Sequence, residues 1–330
     1  MPKIKTLLAA VALASTLAWS YATYPRIGQL TYDIASGTEA RLYGLHKEVV
    51  QVDGIPITLY RSHGTGPAIL MLHGFSADKD VWARFAQHFT SDHQVIIPDL
   101  PGHGETGFKP EWSYTVPSQA ARLVKLMDQL GVAKAHVIGN SMGGYITAQM
   151  ALSYPDRVLS AGLVDPAGLP QPHPSDMQTM LAQGQNPFLI KTREDFARFY
   201  PMTMASPPWM PGYVLDAIAD KYIARKDQLA VIFEQSHQPT DLQANVSKIK
   251  APTLLLWGKQ DRLIDVSAVP VWHAALPQAM VVEWDGIGHM PMVERPGDTA
   301  ELYKRFLAGQ WPRVNAPVSV TIRQQRRQRA

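Results

Sequence analysis

Six short, uninterrupted apolar runs constrain the fold of this chain more than any other feature. Stretches with helical spacing, such as residues 80–89 and 117–130, separate the first four runs. Strands that are apolar on both faces are typical of a parallel sheet covered by helices on both sides. The sequence therefore predicts an α/β protein with a mostly parallel sheet flanked by helices. The runs are AILMLHG (68–74), QVIIPD (94–99), AHVIGN (135–140), LSAGLVD (159–165), TLLLWG (253–258) and MVVEWD (280–285).

The residues before the first apolar run show a different hydrophobic pattern. KEVVQV and ITLYR flank Asp53-Gly54 and predict a β-hairpin, because this dipeptide favours a tight turn. The hairpin opens a core domain that we place at residues 46–169 and 248–310.

A long segment, residues 170–247, separates the fourth apolar run from the fifth. We interpret it as a mostly helical cap, or lid, inserted into the core domain. Its methionine and aromatic side chains would accommodate a flexible acyl chain; the alternative is that they only pack the cap onto the sheet. These residues are Met177, Met180, Phe188, Phe196, Phe199, Met202, Met204, Trp209 and Met210, with Pro207, Pro208 and Pro211 among them.

The N-terminal segment predicts a membrane anchor over residues 1–24. Residues 6–24 carry no charge, and 19 helical residues span about 28 Å, which crosses the hydrocarbon core of a bilayer. Two lysines precede the segment and favour a cytoplasmic N-terminus, so a bacterial cell would hold the body of this single-pass protein on the periplasmic side. The alternative is a cleaved signal peptide and a secreted body, with Ser20 and Ala22 at the cleavage site. Aromatic residues gather at the far end of the segment: Trp19, Tyr21 and Tyr24.

The regions flanking the body carry two further predictions. Residues 25–45 place five apolar residues at roughly helical spacing, which predicts an amphipathic juxtamembrane helix or, alternatively, a linker. Residues 311–330 form a basic tail that we expect to be disordered. The alanine-rich anchor also allows two copies to pair as a homodimer. The five apolar residues are Ile27, Leu30, Ile34, Leu42 and Leu45.

The net charge of +3 does not predict a nucleic-acid partner. Seven basic residues lie in the acid-free ends of the chain, and without them 24 basic residues face 28 acidic ones. The chain has no cysteine, which excludes a thiolate nucleophile and a cysteine zinc site. It also lacks a dinucleotide fingerprint, a P-loop and an H-E-x-x-H helix, so we expect no cofactor and no metal.

One strand end carries the strongest chemical signal. Gly139-Asn140-Ser141-Met142-Gly143 joins the third apolar run to a helix-like stretch. Such a strand–turn–helix forces its central residue into strained geometry and needs small residues two positions to either side. We therefore predict that Ser141 is a nucleophile and that the Met142 amide, at the helix N-terminus, faces a developing oxyanion.

A serine nucleophile needs a base, and the base needs a residue that orients it. With this elbow, the acid and then the histidine follow the serine in the chain. His289, on a glycine-flanked loop after the last strand, is the predicted base, and Asp261, three residues past Gly258, is the predicted acid. Two other aspartates remain open for the acid: Asp165 and Asp265. Three other histidines are interpreted as structural: His103, His237 and His273.

The loop after the first apolar run supplies the second predicted oxyanion donor. His73-Gly74 would turn the chain so that the Phe75 amide points into the site. The imidazole of His73 is then expected to brace this loop, and the turn DLPGHG (99–104) to support it.

Together these motifs resemble the α/β-hydrolase superfamily, and within it the membrane-anchored monoacylglycerol lipases and the bacterial family V lipases. The resemblance runs from about residue 46 to 309. It is carried by HGFSADKDVW (73–82), DLPGHGET (99–106), GNSMGG (139–144), DPAGL (165–169), WGKQDRLIDVSA (257–268) and GHMPMVERP (288–296).

The resemblance implies a serine carboxylic-ester hydrolase that acts on monoacylglycerols, lysophospholipids or phospholipids. It also implies a triad of Ser141, Asp261 and His289, with oxyanion donors at Phe75 and Met142. A lipid substrate and a membrane are the partners it implies. Two alternatives share the scaffold: a C–C bond hydrolase of ring-cleavage products, and a catalytically silent binding protein.

Overall fold

The computed structural model describes residue 24 and residues 26–310. Within this part of the chain, no helix combines the length and the apolar character needed to cross a bilayer. Apart from Tyr24, the predicted anchor lies outside the described residues, and so does the tail 311–330. The anchor, its pairing into a homodimer and the disorder of the tail stay predictions.

Eight strands form a single sheet in the order β1-β2-β4-β3-β5-β6-β7-β8. The pairs β1–β2 and β2–β4 are antiparallel, and every other neighbouring pair is parallel. The predicted α/β architecture with a mostly parallel sheet is confirmed. The strands are β1 (His46–Val52), β2 (Ile55–Arg61), β3 (Ala68–Leu72), β4 (Gln94–Pro98), β5 (Ala135–Asn140), β6 (Val158–Val164), β7 (Thr253–Gly258) and β8 (Met280–Trp284).

Strand β3 shows why the apolar runs are continuous. Ile69 and Met71 belong to the hydrophobic cluster on one side of the sheet, while Leu70 and Leu72 belong to the cluster on the other. Successive side chains of a strand point to opposite faces, so a strand covered on both faces needs apolar residues at every position.

The predicted hairpin joins β1 to β2. Val52 pairs with Ile55, and the two residues between them, Asp53 and Gly54, have φ values of 52° and 76°. Positive φ at both central positions is the requirement of the two-residue turns that match strand twist.

The helices cover both faces of the sheet. A helix over residues 26–42 (α1) precedes the sheet. The others are α2 (Ala83–Ala86), α3 (Val116–Gln129), α4 (Met142–Ser153), α5 (Asp176–Ala182), α6 (Arg193–Thr203), α7 (Gly212–Ala224), α8 (Lys226–Ser236), α9 (Leu242–Asn245), α10 (Ala268–Ala275), α11 (Pro291–Glu294) and α12 (Pro296–Leu307).

Two helical expectations differ from the structure in detail. The stretch 80–89 holds a 3-10 turn, Lys79–Trp82, followed by the single-turn helix α2. In the predicted juxtamembrane segment, the helix α1 forms, but Leu45 lies beyond its end and is fully buried.

The chain leaves the sheet after β6 and returns to it at β7. Five helices, α5 to α9, occupy this interval, which contains the segment interpreted as a cap. The helix α6 begins with a capping box, in which the Thr192 side chain accepts from the Asp195 amide and Asp195 accepts from the Thr192 amide. The boundaries of the cap as a domain stay a prediction.

Candidate active site

Ser141 lies at the carboxyl end of β5, where the chain turns directly into α4. Its φ is 58°, a strained value for a residue with a side chain. A Cβ on Gly139 would come within 2.1 Å of the Gly143 carbonyl oxygen, and one on Gly143 within 2.3 Å of the Leu72 carbonyl oxygen. Only glycine fits at these two positions. The two glycines therefore allow the tight turn that places Ser141 at the carboxyl end of the sheet.

The predicted oxyanion donors flank this turn. Met142 is the first residue of α4, so its N–H belongs to the helix N-terminal group that has no partner within the helix. Phe75 follows β3, and the preceding Gly74 is packed so closely that a Cβ there would lie 3.1 Å from the Ser141 Cβ. The structure brings both residues to Ser141, and their role stays a prediction.

His289 and Asp261 form a buried hydrogen-bonded pair. His289 Nδ1 lies 2.6 Å from Asp261 Oδ2, and the side chains are 5% and 0% exposed. Asp261 Oδ1 accepts the N–H groups of Leu263 and Ile264 at 2.8 and 3.0 Å. The carboxylate is therefore held from two sides and can hold the imidazole in turn.

Ser141 and His289 line the same cavity, which has a volume of about 560 Å³. Volumes of this order are typical of small-molecule sites. The sequence left three aspartates open for the acid, and the structure places Asp261 against the His289 ring. Asp265 instead accepts the Ser267 N–H, in the turn before α10.

Asp165, the remaining candidate, lies close to that pair. Among the described residues, Asp165, Asp261 and His289 form a group whose ligand atoms all lie within 4.8 Å of one another, a spacing that a metal ion could use. The short His289–Asp261 hydrogen bond already occupies two of these atoms.

His73 braces the loop beneath Phe75, as expected from the sequence. Its Nδ1–H donates to the Gly74 carbonyl at 2.8 Å, and its Nε2 accepts the Leu100 N–H at 3.0 Å. Burial lowers the pKa of His73 to about 4, so the ring is neutral in the folded protein at neutral pH. A ring with both nitrogens committed in this way serves the backbone and not proton transfer.

The three histidines interpreted as structural lie elsewhere. His103 is fully buried beside the His73 ring, His237 follows the end of α8 and stacks on Phe233, and His273 lies within α10. None of these three is among the described residues that line the cavity.

The DLPGHG turn is built around a buried ion pair. The Asp99 carboxylate accepts the Lys79 backbone N–H at 2.8 Å and the Lys79 Nζ at 3.0 Å, and Glu105 donates its N–H at 2.8 Å. Asp99 is fully buried and the Lys79 side chain is 4% exposed. The pair joins the loop after β4 to the segment that follows Phe75.

Two residues that sequence reasoning missed hold the His289 loop in place. Asn140 Nδ2 donates to the His289 carbonyl at 2.8 Å and to the Val164 carbonyl at 3.2 Å. Glu294 accepts the Gly288 N–H and the Ser206 N–H, each at 2.8 Å. Asn140 directly precedes the nucleophile in sequence, but its spacing gives no sign of a bond to a residue 149 positions away.

Apolar side chains dominate the wall contributed by the segment 170–247. Some of its methionines instead pack in the core: Met177 and Met202 are buried there. The alternative of simple packing therefore holds for part of this set. The members that line the cavity are Phe188, Phe196, Phe199, Met204, Pro208, Trp209, Met210 and Pro211.

The cavity also has a charged portion. Asp78, Asp80, Lys221 and Arg225 line it. Burial, aided by the negative charge of Asp78, raises the pKa of Asp80 to about 6. The cavity thus presents both an apolar wall and ionisable groups.

The helix α1 supplies a wall that the sequence did not predict. Thr31, Tyr32 and Ala35 line the cavity. The helix packs on α7 so closely that a Cβ on Gly28 would lie 2.2 Å from the Tyr213 carbonyl oxygen. Four apolar side chains of the helix are exposed: Ile27, Leu30, Ile34 and Leu42.

This geometry, a serine at a strained elbow and a histidine in the same cavity held by a buried aspartate, defines the α/β-hydrolase class. The family model described as "alpha/beta hydrolase fold" matches residues 67–296. The chain belongs to this family, and it is a hydrolase of the lipase and esterase type, which confirms the resemblance drawn from the motifs.

Similar proteins include lipases from bacteria and animals. The chain is 36% identical to Lipase 1 of Psychrobacter immobilis over 254 residues, 75% of this chain and 80% of that protein. It is 31% identical to the monoacylglycerol lipase ABHD6 of Homo sapiens over 259 residues, 74% and 76% of the two chains. A solved structure of a membrane phospholipase A, a bacterial virulence factor, is 37% identical with a TM-score of 0.82 and covers 92% of this chain and 98% of its own.

Proposed function

We propose that this protein hydrolyses acyl esters of monoacylglycerols, lysophospholipids or phospholipids through an acyl-enzyme. The observation that carries the proposal is that Ser141 and His289 line one cavity whose wall is largely apolar. Similarity to proteins named lipase, monoacylglycerol lipase and membrane phospholipase A supports the substrate class.

In the proposed mechanism, Ser141 Oγ attacks the ester carbonyl carbon while His289 Nε2 takes its proton. Asp261 holds Nδ1 and stabilises the imidazolium. The amides of Phe75 and Met142 stabilise the oxyanion. The C–O bond to the alcohol then breaks, and His289 returns the proton to the leaving oxygen. A water molecule, deprotonated by His289, attacks the acyl-enzyme carbonyl carbon. The bond to Ser141 Oγ then breaks, His289 returns the proton to Oγ, and the fatty acid leaves.

The test is fatty-acid release from a panel of monoacylglycerols, lysophospholipids, diacyl phospholipids and short p-nitrophenyl esters, with detergent-solubilised full-length protein. The Ser141→Ala variant removes the proposed nucleophile. Ser153→Ala is the matched control, because Ser153 is an exposed residue at the other end of the same helix, α4.

Lipid hydrolysis that disappears in Ser141→Ala and persists in Ser153→Ala is the expected result. Cleavage of short esters alone would make the protein a general esterase whose cavity rejects lipids. The same protein is assayed in parallel on a ring-cleavage diketone, and activity on that substrate alone would favour the C–C hydrolase alternative. Full activity in Ser141→Ala, or a failure to react with a fluorophosphonate probe, would refute the proposed nucleophile.

We also propose that the protein acts at a membrane surface, which it contacts through the exposed face of α1. With 3.6 residues per turn, four apolar side chains of this helix fall within an arc of about 120°. Their exposed fractions are 52% for Ile27, 60% for Leu30, 59% for Ile34 and 80% for Leu42. An exposed apolar stripe of this kind is typical of helices that lie in a membrane interface.

The position of this stripe relative to the cavity supports the same proposal. The neighbouring face of α1 lines the cavity, and so does Trp209, which is 87% exposed. Tyr24, two residues before α1, contacts Tyr213 of the segment that carries Trp209, with ring centroids 6.4 Å apart. A bilayer seated on this side would lie beside the cavity wall, and a lipid would have a short path to Ser141.

The membrane proposal is tested by comparing two substrates. We expect a combined Ile27→Ser, Leu30→Ser and Ile34→Ser variant to lose about tenfold or more in hydrolysis of lipid in vesicles, since each fully buried side chain contributes about 1.5–3 kcal/mol. Hydrolysis of a soluble short ester should be unchanged. Leu159→Ser, a 37% exposed leucine at the start of β6, is the control. Equal losses on both substrates would contradict the proposal.

The location of the protein follows from the state of its N-terminus. We propose a retained anchor with the catalytic body on the periplasmic side, and the secreted form is the alternative. Mass spectrometry of the N-terminal peptide from the membrane fraction distinguishes them, because a cleaved chain would begin after the signal segment.

A further inference from the structure

A second carboxyl group, Asp165, lies beside the proposed pair and has no part in the mechanism above. It directly follows β6 and is fully buried. Its Oδ1 accepts the Gly258 N–H at 2.9 Å, but no donor among the described residues faces its Oδ2. A buried carboxylate oxygen without a donor is costly, so this atom calls for an explanation.

Asp261 is the better placed of the two carboxyl groups to carry a negative charge. It receives two backbone N–H groups and faces His289 Nδ1, whereas Asp165 receives one N–H. Two neighbouring buried carboxyl groups do not both ionise. Burial first, and then the negative charge of Asp261, raise the pKa of Asp165 well above its usual range. The nearby carboxylate of Glu294 acts in the same direction.

We propose that Asp165 is a neutral positioning residue whose carboxyl proton is donated in a hydrogen bond to the Asp261 carboxylate. The bond supplies the missing partner of Asp165 Oδ2 and ties the end of β6 to the loop after β7. Asp261 is then fixed against His289, and the two carboxyl groups together carry one negative charge opposite the imidazolium formed in catalysis. The proposal rests on the triad roles proposed above for Asp261 and His289.

The first test is the pH profile of kcat/KM for Asp165→Asn. Asparagine keeps the shape and an N–H donor and is neutral at every pH. If Asp165 is neutral, the acid limb of the profile stays within about 0.3 pH unit of the wild-type limb, and at least about half of kcat/KM is retained. If Asp165 is an anion, its removal from within 4.8 Å of the ring lowers the acid limb by about 2.5 pH units at an effective dielectric constant of ~20. That shift would overturn the proposal.

The second test removes the donor. Asp165 has a φ of 45°, so Asp165→Gly deletes the side chain without adding backbone strain, which alanine would add. We expect kcat to fall about tenfold with KM unchanged, and Asp165→Asn to restore kcat. Wild-type kcat in the glycine variant would overturn the proposal; if that variant does not fold, the asparagine pH profile decides alone.

A different result would show that the proposed triad is wrong. His289→Ala that keeps its activity would refute the proposed mechanism, and this inference would fall with it. Loss of activity in His289→Ala together with a shift of about 2.5 pH units in the acid limb of Asp165→Asn would refute only the neutral state of Asp165.

Discussion

Replacing Asn140 by alanine tests how the His289 loop is held. Asn140 is 2% exposed, and its Nδ2 donates to the carbonyls of His289 and Val164. The Val164 carbonyl keeps a second donor, the Ser141 N–H at 3.0 Å, so the loss falls on the His289 carbonyl.

The expected loss of stability follows from the single hydrogen-bond acceptor that is left without a donor. A buried acceptor left without its donor costs about 1–3 kcal/mol, so we expect Asn140→Ala to lower the free energy of unfolding by about 2 kcal/mol. A loop released next to the base also misplaces the imidazole, and small displacements of catalytic groups are expensive. We therefore expect kcat to fall by about tenfold or more.

The assay is urea unfolding together with steady-state hydrolysis of a soluble p-nitrophenyl ester. Asn245→Ala is the matched control, because Asn245 Nδ2 also donates to a backbone carbonyl at 2.8 Å, but in an exposed bond within α9. The control should change both quantities little. If Asn140→Ala loses stability yet keeps the kcat of the control, Asn140 does not position His289, and the reasoning is wrong.

Three further predictions concern the scaffold. Buried His73 has a pKa of about 4, whereas a free histidine has a pKa of about 6.5. The neutral ring therefore contributes about 3 kcal/mol to the free energy of unfolding above pH 6.5, and this contribution is lost as the pH falls towards 4. Urea unfolding between pH 7.5 and 4.5 measures the loss. Lys79→Met leaves a fully buried aspartate unpaired and should cost about 3–5 kcal/mol, against less than about 1 kcal/mol for Lys125→Met, whose ion pair is exposed. Gly143→Ala should prevent soluble expression, because its Cβ would lie 2.3 Å from a backbone oxygen, whereas Gly297→Ala, with its nearest neighbour at 4.0 Å, should be tolerated.

Each of these has an outcome that would contradict it. A His73→Gln variant with the same pH dependence as the wild type would remove His73 as the cause of the acid loss. Equal unfolding free energies for the two lysine variants would mean that burial does not set the value of the ion pair. A soluble, active Gly143→Ala protein would show that the elbow has room for a side chain.

The sheet was predictable because each of its parallel strands is a continuous apolar run in the sequence. Continuous apolar runs are the direct result of burial on both faces, and all six runs became parallel strands. The elbow was predictable for a local reason as well, since Gly139 and Gly143 are required by contacts within a few residues and with the adjacent strand end.

The remaining features depend on contacts between distant segments, which the spacing of residues in the sequence does not predict. Sequence reasoning gave Asp261, Asp165 and Asp265 as candidate acids, and only the folded chain shows which carboxylate faces His289. The bonds of Asn140 and Glu294 to the His289 loop likewise join distant segments or opposite ends of a loop. The sequence predicted that α1 is amphipathic, but it did not predict that α1 forms a wall of the cavity.

The two-sided helix α1 has a practical consequence for anyone who shortens this chain. A protein that begins at residue 46 would keep Ser141, Asp261 and His289. It would also lose Thr31, Tyr32 and Ala35, so one wall of the cavity would be replaced by solvent. Substrate preferences and inhibitor affinities measured on such a protein would belong to a wider, wetter cavity, and compounds selected against it would be optimised for a space that the full-length chain does not contain.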